Sequence, residues 1–146
     1  MERPSPDRAA LSPIAEWMAA AQEGRFLTTP SLEVAKDWIH VDDVAEAFAR
    51  LVAAPQLRHT MYNLGLGENV PVRRVMECIR RAWPGLEVSV MPSWTPNPNL
   101  GGARVRPPLE MTGLAEDVGF RPRFTIESGI ARYAAWLLGD RQERRP

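Results

Sequence analysis

Lys36 and Asp37 stand side by side at the head of the stretch KDWIHVDDVAEAF. A cation beside an anion could grip a ligand there, or form an exposed ion pair worth ~0–1 kcal/mol. Lys36 is the only lysine among the eighteen basic residues of the chain. Asp42 and Asp43 follow as adjacent carboxylates, a residue type suited to general acid and base work. Adjacent residues entering a helix point in different directions, however, and Asp43-Val44-Ala45-Glu46 has the spacing of a capping box. The aspartates are therefore read as joinery between a strand and a helix. His40, set among aromatic and branched residues, reads as a packed, hydrogen-bonded imidazole inside a strand rather than a general base.

Other reactive residue types offer less. Cys78 is the single cysteine, which excludes an internal disulfide and a thiolate metal cage. His40 and His59 lie in no metal-binding spacing. Trp94, bracketed by Pro92, Pro96 and Pro98, has a shape that can stack on a base or sugar ring, with core packing or a partner contact as the simpler reading. Arg141, Arg144 and Arg145 interleave with Asp140 and Glu143, without an aromatic platform, and read as a solvated terminus rather than a nucleic-acid grip.

The elements that must position these residues follow from periodicity. A chain of 146 residues with a net charge of zero fits one globular domain and shows no general attraction to nucleic acid or anionic membrane. No run approaches the ~20 apolar residues of a membrane span, and the first residues lack a signal-peptide layout, so a cytoplasmic protein is expected. Ser12 and Pro13 open a helix whose apolar face is Ile14, Trp17, Met18 and Ala21, closed by Gly24. Trp38 to Val41 reads as a short strand, followed by a helix with Val44, Phe48, Leu51 and Val52 on one face. Thr60 to Leu64 is a further strand candidate, closed by Gly65-Leu66-Gly67. Pro71 opens a helix faced by Val72, Val75, Met76 and Ile79, and Leu86 to Val90 alternates as a strand. Met91 to Pro108, with five prolines, reads as an irregular loop. A short helix over Met111, Leu114 and Val118 ends at Gly119. Thr125 caps a last helix running through Ile126, Ile130, Tyr133 and Leu137 to Gly139. The alternation argues for α/β construction, yet too few strands are evident to form a covered parallel sheet.

Four segments, in order, resemble the carboxyl-terminal half of the extended short-chain dehydrogenase/reductases, the NAD-dependent epimerases and dehydratases. They are KDWIHVDDVAEAF, MYNLGLGENVPVRRVMECI, and, within RPPLEMTGLAEDVGFRPRFTIESGIARYAAWL, a helix start at LEMTG and a GFRP step. The resemblance covers about Ala9 to Leu138. The family's amino-terminal half carries a glycine-rich turn for the dinucleotide and a Tyr-x-x-x-Lys pair for proton transfer. Gly65-Leu66-Gly67 has no third glycine, and residues four beyond Tyr62 and Tyr133 are both leucine.

The resemblance thus implies an incomplete Rossmann sheet with few short strands and about five helices. Residues 1–140 would form the substrate-binding half, residues 141–146 a polar tail, and the chain would be a truncated or split enzyme. It implies no cofactor bound by this chain alone, with NAD or NADP held by the complete enzyme. The substrate would be a nucleotide sugar or related carbohydrate, with no catalytic residue and no metal ligand here. By resemblance, Lys36 stands where the family's arginine reaches substrate phosphates, while Arg104, Arg106 and Glu110 stand in a segment that approaches phosphate or ribose. Lysine gives up the bidentate fork, which makes a substrate without phosphate more credible. Asn63 holds the turn that follows it. Partners implied are a small-molecule substrate and either an amino-terminal half or a second copy, with no nucleic acid and no membrane. The alternative is a non-catalytic binding or interaction module, with a homodimer burying the open sheet edge as one form of it.

Overall fold

Pro13 starts helix α1 (Pro13–Gln22) where the sequence places it, because Ser12 Oγ accepts the Ala15 N–H at 3.5 Å. The computed structural model describes residues 12–25, 27–29, 31–90 and 107–143. Among these, the remaining elements are β1 (Leu27–Thr29), β2 (Ala35–Asp37), α2 (Val41–Ala53), β3 (Asn69–Pro71), α3 (Val72–Ala82), β4 (Val88–Val90), α4 (Thr112–Val118) and α5 (Ile126–Glu143). The strands form two separate ribbons: β1 pairs in parallel with β4, and β2 pairs antiparallel with β3, with Lys36 opposite Val70. The architecture is α/β, with five helices, few short strands and no continuous sheet among the described residues.

Helix faces fall where periodicity puts them. Trp17, Met18 and Ala21 of α1, Val72, Val75, Met76 and Ile79 of α3, and Ile126, Ile130 and Ala134 of α5 share one core with Leu27, Val70 and Leu86. Trp38 sends its indole N–H to the Val70 carbonyl at 3.1 Å and meets Trp17 edge-on, pinning the chain as it leaves β2. A smaller core of Ala47, Leu114 and Phe120 joins α2 to α4. Gly119 closes α4 with φ of 63°, a left-handed turn open to glycine. Thr125 and Ser128 exchange hydrogen bonds in a reciprocal cap at the start of α5, which continues past Gly139 to Glu143.

Two strand expectations fail. Trp38 to His40 leaves the ladder, which ends at the Asp37–Asn69 pair, and Val41 already belongs to α2. Thr60 to Leu64 has no ladder partner among the described residues and runs as irregular chain. A segment of β character becomes a strand only when a neighbour accepts its main-chain hydrogen bonds. Conversely, β1 and β3 are three-residue pieces too short to be read from alternation.

The joint between β2 and α2 differs in its chemistry from the capping box expected at Asp43. His40 is the cap: its Nδ1 accepts the Asp42 N–H at 3.2 Å, and its ring stacks on Phe124 with centroids 4.2 Å apart. A side chain at Gly129 would press on that ring, since a Cβ there would stand 3.3 Å from Cδ2. Asp43, released from capping, is fully buried in the first turn of α2. Its carboxylate accepts the main-chain N–H groups of Arg123 at 3.1 Å and Phe124 at 3.1 Å. It remains joinery, but joins α2 to the segment before α5.

This contact fixes the rotation of α2. Glu46 pairs with Arg50 and Arg123, Arg50 donates to the Gly119 carbonyl at 2.8 Å, and Asp42 pairs with Arg132. The charged residues of the helix therefore reach towards its own chain. Val41, Phe48 and Val52 point the other way and are 71%, 60% and 85% exposed, with Ala45 and Ala49 exposed between them. Of the apolar face read from the sequence, Phe48 and Val52 are solvent-facing, while Val44 and Leu51 are half-buried.

Asp43→Ala should lower the unfolding free energy by on the order of 2 kcal/mol in urea titrations, since it removes a charge from two part-buried amides. Asp42→Asn, at the exposed pair with Arg132, should leave the urea midpoint nearly unchanged. Equal losses from the two would contradict the role given to Asp43.

Candidate functional site

Lys36 lies in the middle of β2 and is half-buried. Adjacent strand residues face opposite ways, so the next residue, Asp37, serves a different surface. Asp37 Oδ1 accepts the Leu66 N–H at 2.5 Å, and Oδ2 accepts the N–H groups of Gly67 at 3.1 Å and Leu109 at 2.9 Å. Asn63 donates from Nδ2 to the Glu110 carbonyl at 3.1 Å, which ties the same two segments together again. Strand β2, the Gly65–Gly67 turn and the Leu109–Glu110 segment therefore converge on one corner of the molecule.

Glu110 is exposed and sits at the start of α4. Its Oε1 accepts the Thr112 N–H at 2.6 Å, and the hydrogen bonds from Thr112 hold its carboxyl below the ordinary glutamate range. Arg104 and Arg106, like Trp94, lie outside the described residues. Of the four substrate-side residues named from the sequence, Lys36 and Glu110 lie among the described residues: Lys36 precedes Asp37 in β2 and faces away from its carboxylate, and Glu110 follows Leu109, whose N–H that carboxylate accepts.

A second polar cluster has no counterpart in the sequence reading. The Asp117 carboxylate is buried at the end of α4 and accepts the Tyr62 hydroxyl at 2.7 Å, the Arg58 Nε–H at 2.6 Å and the Arg58 main-chain N–H at 2.8 Å. It also lies 3.0 Å from His59 Nδ1. Tyr62, then His59 and Arg58, hold its carboxyl far below the ordinary aspartate range despite burial. The partners are 55 to 59 residues distant in sequence, so spacing could not have announced it. Every hydrogen-bonding group that meets Asp117 is used in fastening the segment 58–62 to α4, and the cluster acts as a latch.

An apolar groove of 380 Å³ opens between the start of α1, the β2–α2 joint and the first turns of α5. Trp38, His40, Phe124, Ile130 and Tyr133 line it, and Val41 belongs both to this groove and to the exposed apolar face of α2. Groove and helix face are one continuous apolar surface. No cluster of three or more His, Cys, Asp or Glu able to hold a metal ion occurs among the described residues. No helix among them is long and apolar enough to cross a membrane.

Among the described residues, the Gly65–Gly67 turn does not have the form of a dinucleotide site. A glycine-rich turn holds a pyrophosphate by aiming main-chain N–H groups at it from a helix start. In the one Gly-x-Gly turn here those N–H groups already meet the Asp37 carboxylate, and β3 rather than a helix follows.

Helices and short strands in this order define part of a Rossmann-like α/β fold. The model of the NAD dependent epimerase/dehydratase family matches residues 4–65. Solved structures of the same fold include UDP-glucose 4-epimerase from Thermotoga maritima with UDP-glucose, at TM-score 0.71 and 17% identity, covering 88% of this chain and 40% of that one. They also include a GalE-like L-threonine dehydrogenase from Cupriavidus necator, at TM-score 0.71 and 19% identity, covering 94% and 48%. A third is ADP-L-glycero-D-manno-heptose-6-epimerase from Helicobacter pylori, at TM-score 0.73 and 15% identity, covering 87% and 38%. No curated protein sequence matches the chain. The likeness to the extended short-chain dehydrogenase/reductases therefore rests on a family match and on fold together, and the chain spans about two fifths to one half of the length of these structures.

The carboxylates give a testable acid response. Glu127 is held down to about 2, chiefly by its hydrogen bond from Arg74. A folded value below the unfolded one means stability that is fully present above about pH 4.3, the unperturbed glutamate value, and lost as the pH falls through the folded value. Carboxyl carbon NMR should show Glu127 titrating near pH 2. Arg74→Met should return Glu127 towards its ordinary value, and a wild-type midpoint at or above that value would contradict the pairing.

Proposed function

We propose that these residues form the substrate-binding part of an NAD(P)-dependent epimerase, dehydratase or reductase acting on a nucleotide sugar or related carbohydrate, with the cofactor held by other polypeptide. The observation that carries this reading is the outward apolar face of helix α2. Its charged residues anchor it to its own chain, while Val41, Phe48 and Val52 and the adjoining groove present a continuous apolar surface. Exposed apolar patches of this kind mark a seat for another body. The family match, and neighbours more than half of whose length has no counterpart here, supply the kind of body: the glycine-rich half.

On this reading the chain contributes binding and orientation rather than a chemical step. Holding a substrate in place relative to a reacting group can itself account for much of a rate enhancement. Lys36 supplies a point charge to an anionic group of the substrate, Arg104 and Arg106 are further candidate contacts to its phosphate or ribose by resemblance, and Glu110 stands at the corner built around Asp37. No hydride or proton transfer is assigned to this chain, because neither the dinucleotide turn nor the tyrosine–lysine pair is among its residues. A second copy seated on the same apolar surface is the competing occupant, and would make the chain a self-associating module.

Calorimetric titration separates these readings. UDP-glucose should give a weak but saturable isotherm that Lys36→Met abolishes without altering the far-ultraviolet circular dichroism, and NAD should give no heat. A one-to-one NAD isotherm, or UDP-glucose binding indifferent to Lys36→Met, would overturn the proposal.

A further inference from the structure

The Gly65-Leu66-Gly67 turn has the form of a small main-chain anion site that is already filled. Successive N–H groups in such a turn make a concavity that favours negative charge. Those of Leu66 and Gly67 point at the Asp37 carboxylate, at 2.5 Å and 3.1 Å. Gly67, with φ of 80°, supplies the left-handed conformation the turn needs. Gly65 supplies room: a Cβ there would stand 2.7 Å from Asp37 Oδ1. The Leu109 N–H reaches the same carboxylate from 72 residues away, at 2.9 Å.

We infer that Asp37 is a built-in anion that closes this turn to phosphate and acts as the positioning residue of the corner. Its two oxygens set the separation between β2, which carries Lys36, the Gly65–Gly67 turn, and the segment that carries Glu110. Gly65 and Asp37 form a matched pair, since the carboxylate enters only where the turn has no side chain. Calling the corner substrate-side rests on the reading above; the filled anion site does not.

The test is chemical rescue read at the three amides. In Asp37→Ala, the N–H groups of Leu66, Gly67 and Leu109 should exchange with solvent about tenfold faster or more, the change expected from losing a charge-assisted hydrogen bond. Formate, but not chloride at the same ionic strength, should restore their protection and their amide shifts. Unchanged exchange in Asp37→Ala, or an effect of formate no greater than that of chloride, would overturn the inference. Should Asp37→Ala fail to fold, Asp37→Asn keeps the shape with one acceptor oxygen, and at least one of the three amides should lose protection. Wild-type protection at all three would overturn the inference. Failure of UDP-glucose to bind the wild-type chain while formate rescues the variant would count against the substrate-side reading alone.

Discussion

A carboxylate removed from water must be given hydrogen bonds, and the Asp43 carboxylate receives them from the main chain of Arg123 and Phe124. That one contact determines how the molecule presents itself. It fixes which side of α2 faces the chain, and Asp42, Glu46 and Arg50 reinforce the same rotation with pairs to Arg132, Arg123 and the end of α4. Rotating the helix to hide Phe48 would pull the buried Asp43 charge off the two amides that satisfy it. The apolar face of α2 consequently stays outward, and the groove beside it stays open.

Asp37 plays a parallel part at the other end of the same strand-to-helix stretch. Both carboxylates accept main-chain N–H groups from segments distant in sequence, and both organise loops that regular secondary structure cannot hold. The strands are three residues long and paired only two by two, so a sheet does not brace this corner. Side-chain carboxylates and the Asp117 latch do that work in its place, which is why the segments 63–67 and 107–111 are fixed without a ladder between them.

Local periodicity made the helices legible. The buried faces of α1, α3 and α5, the Gly119 stop and the Thr125 cap follow from spacing and capping chemistry that act within a few residues. The strands were less legible because their existence depends on a partner: Thr60 to Leu64 has β character without a neighbour, whereas β1 and β3 have neighbours and too few residues to alternate. The face of α2 was recognised as apolar from its spacing, while its outward direction was not legible. Nothing in the local sequence shows that Asp43 turns that face outward, because its partners lie 80 and 81 residues away. At the candidate site, Lys36 and Glu110 were named by resemblance alone, while the role of Asp37 needed the convergence of three distant amides.

The central claim is that the outward face of α2 is the seat of a cofactor-side half, and cysteine labelling reads it directly. Phe48→Cys and Val52→Cys place a thiol on that face, while native Cys78 is buried. The account predicts rapid maleimide labelling at both positions in this chain, and strong protection once it is joined to the glycine-rich amino-terminal half of an NAD-dependent epimerase/dehydratase. Slow labelling in this chain alone, or equal labelling with and without that half, would contradict it.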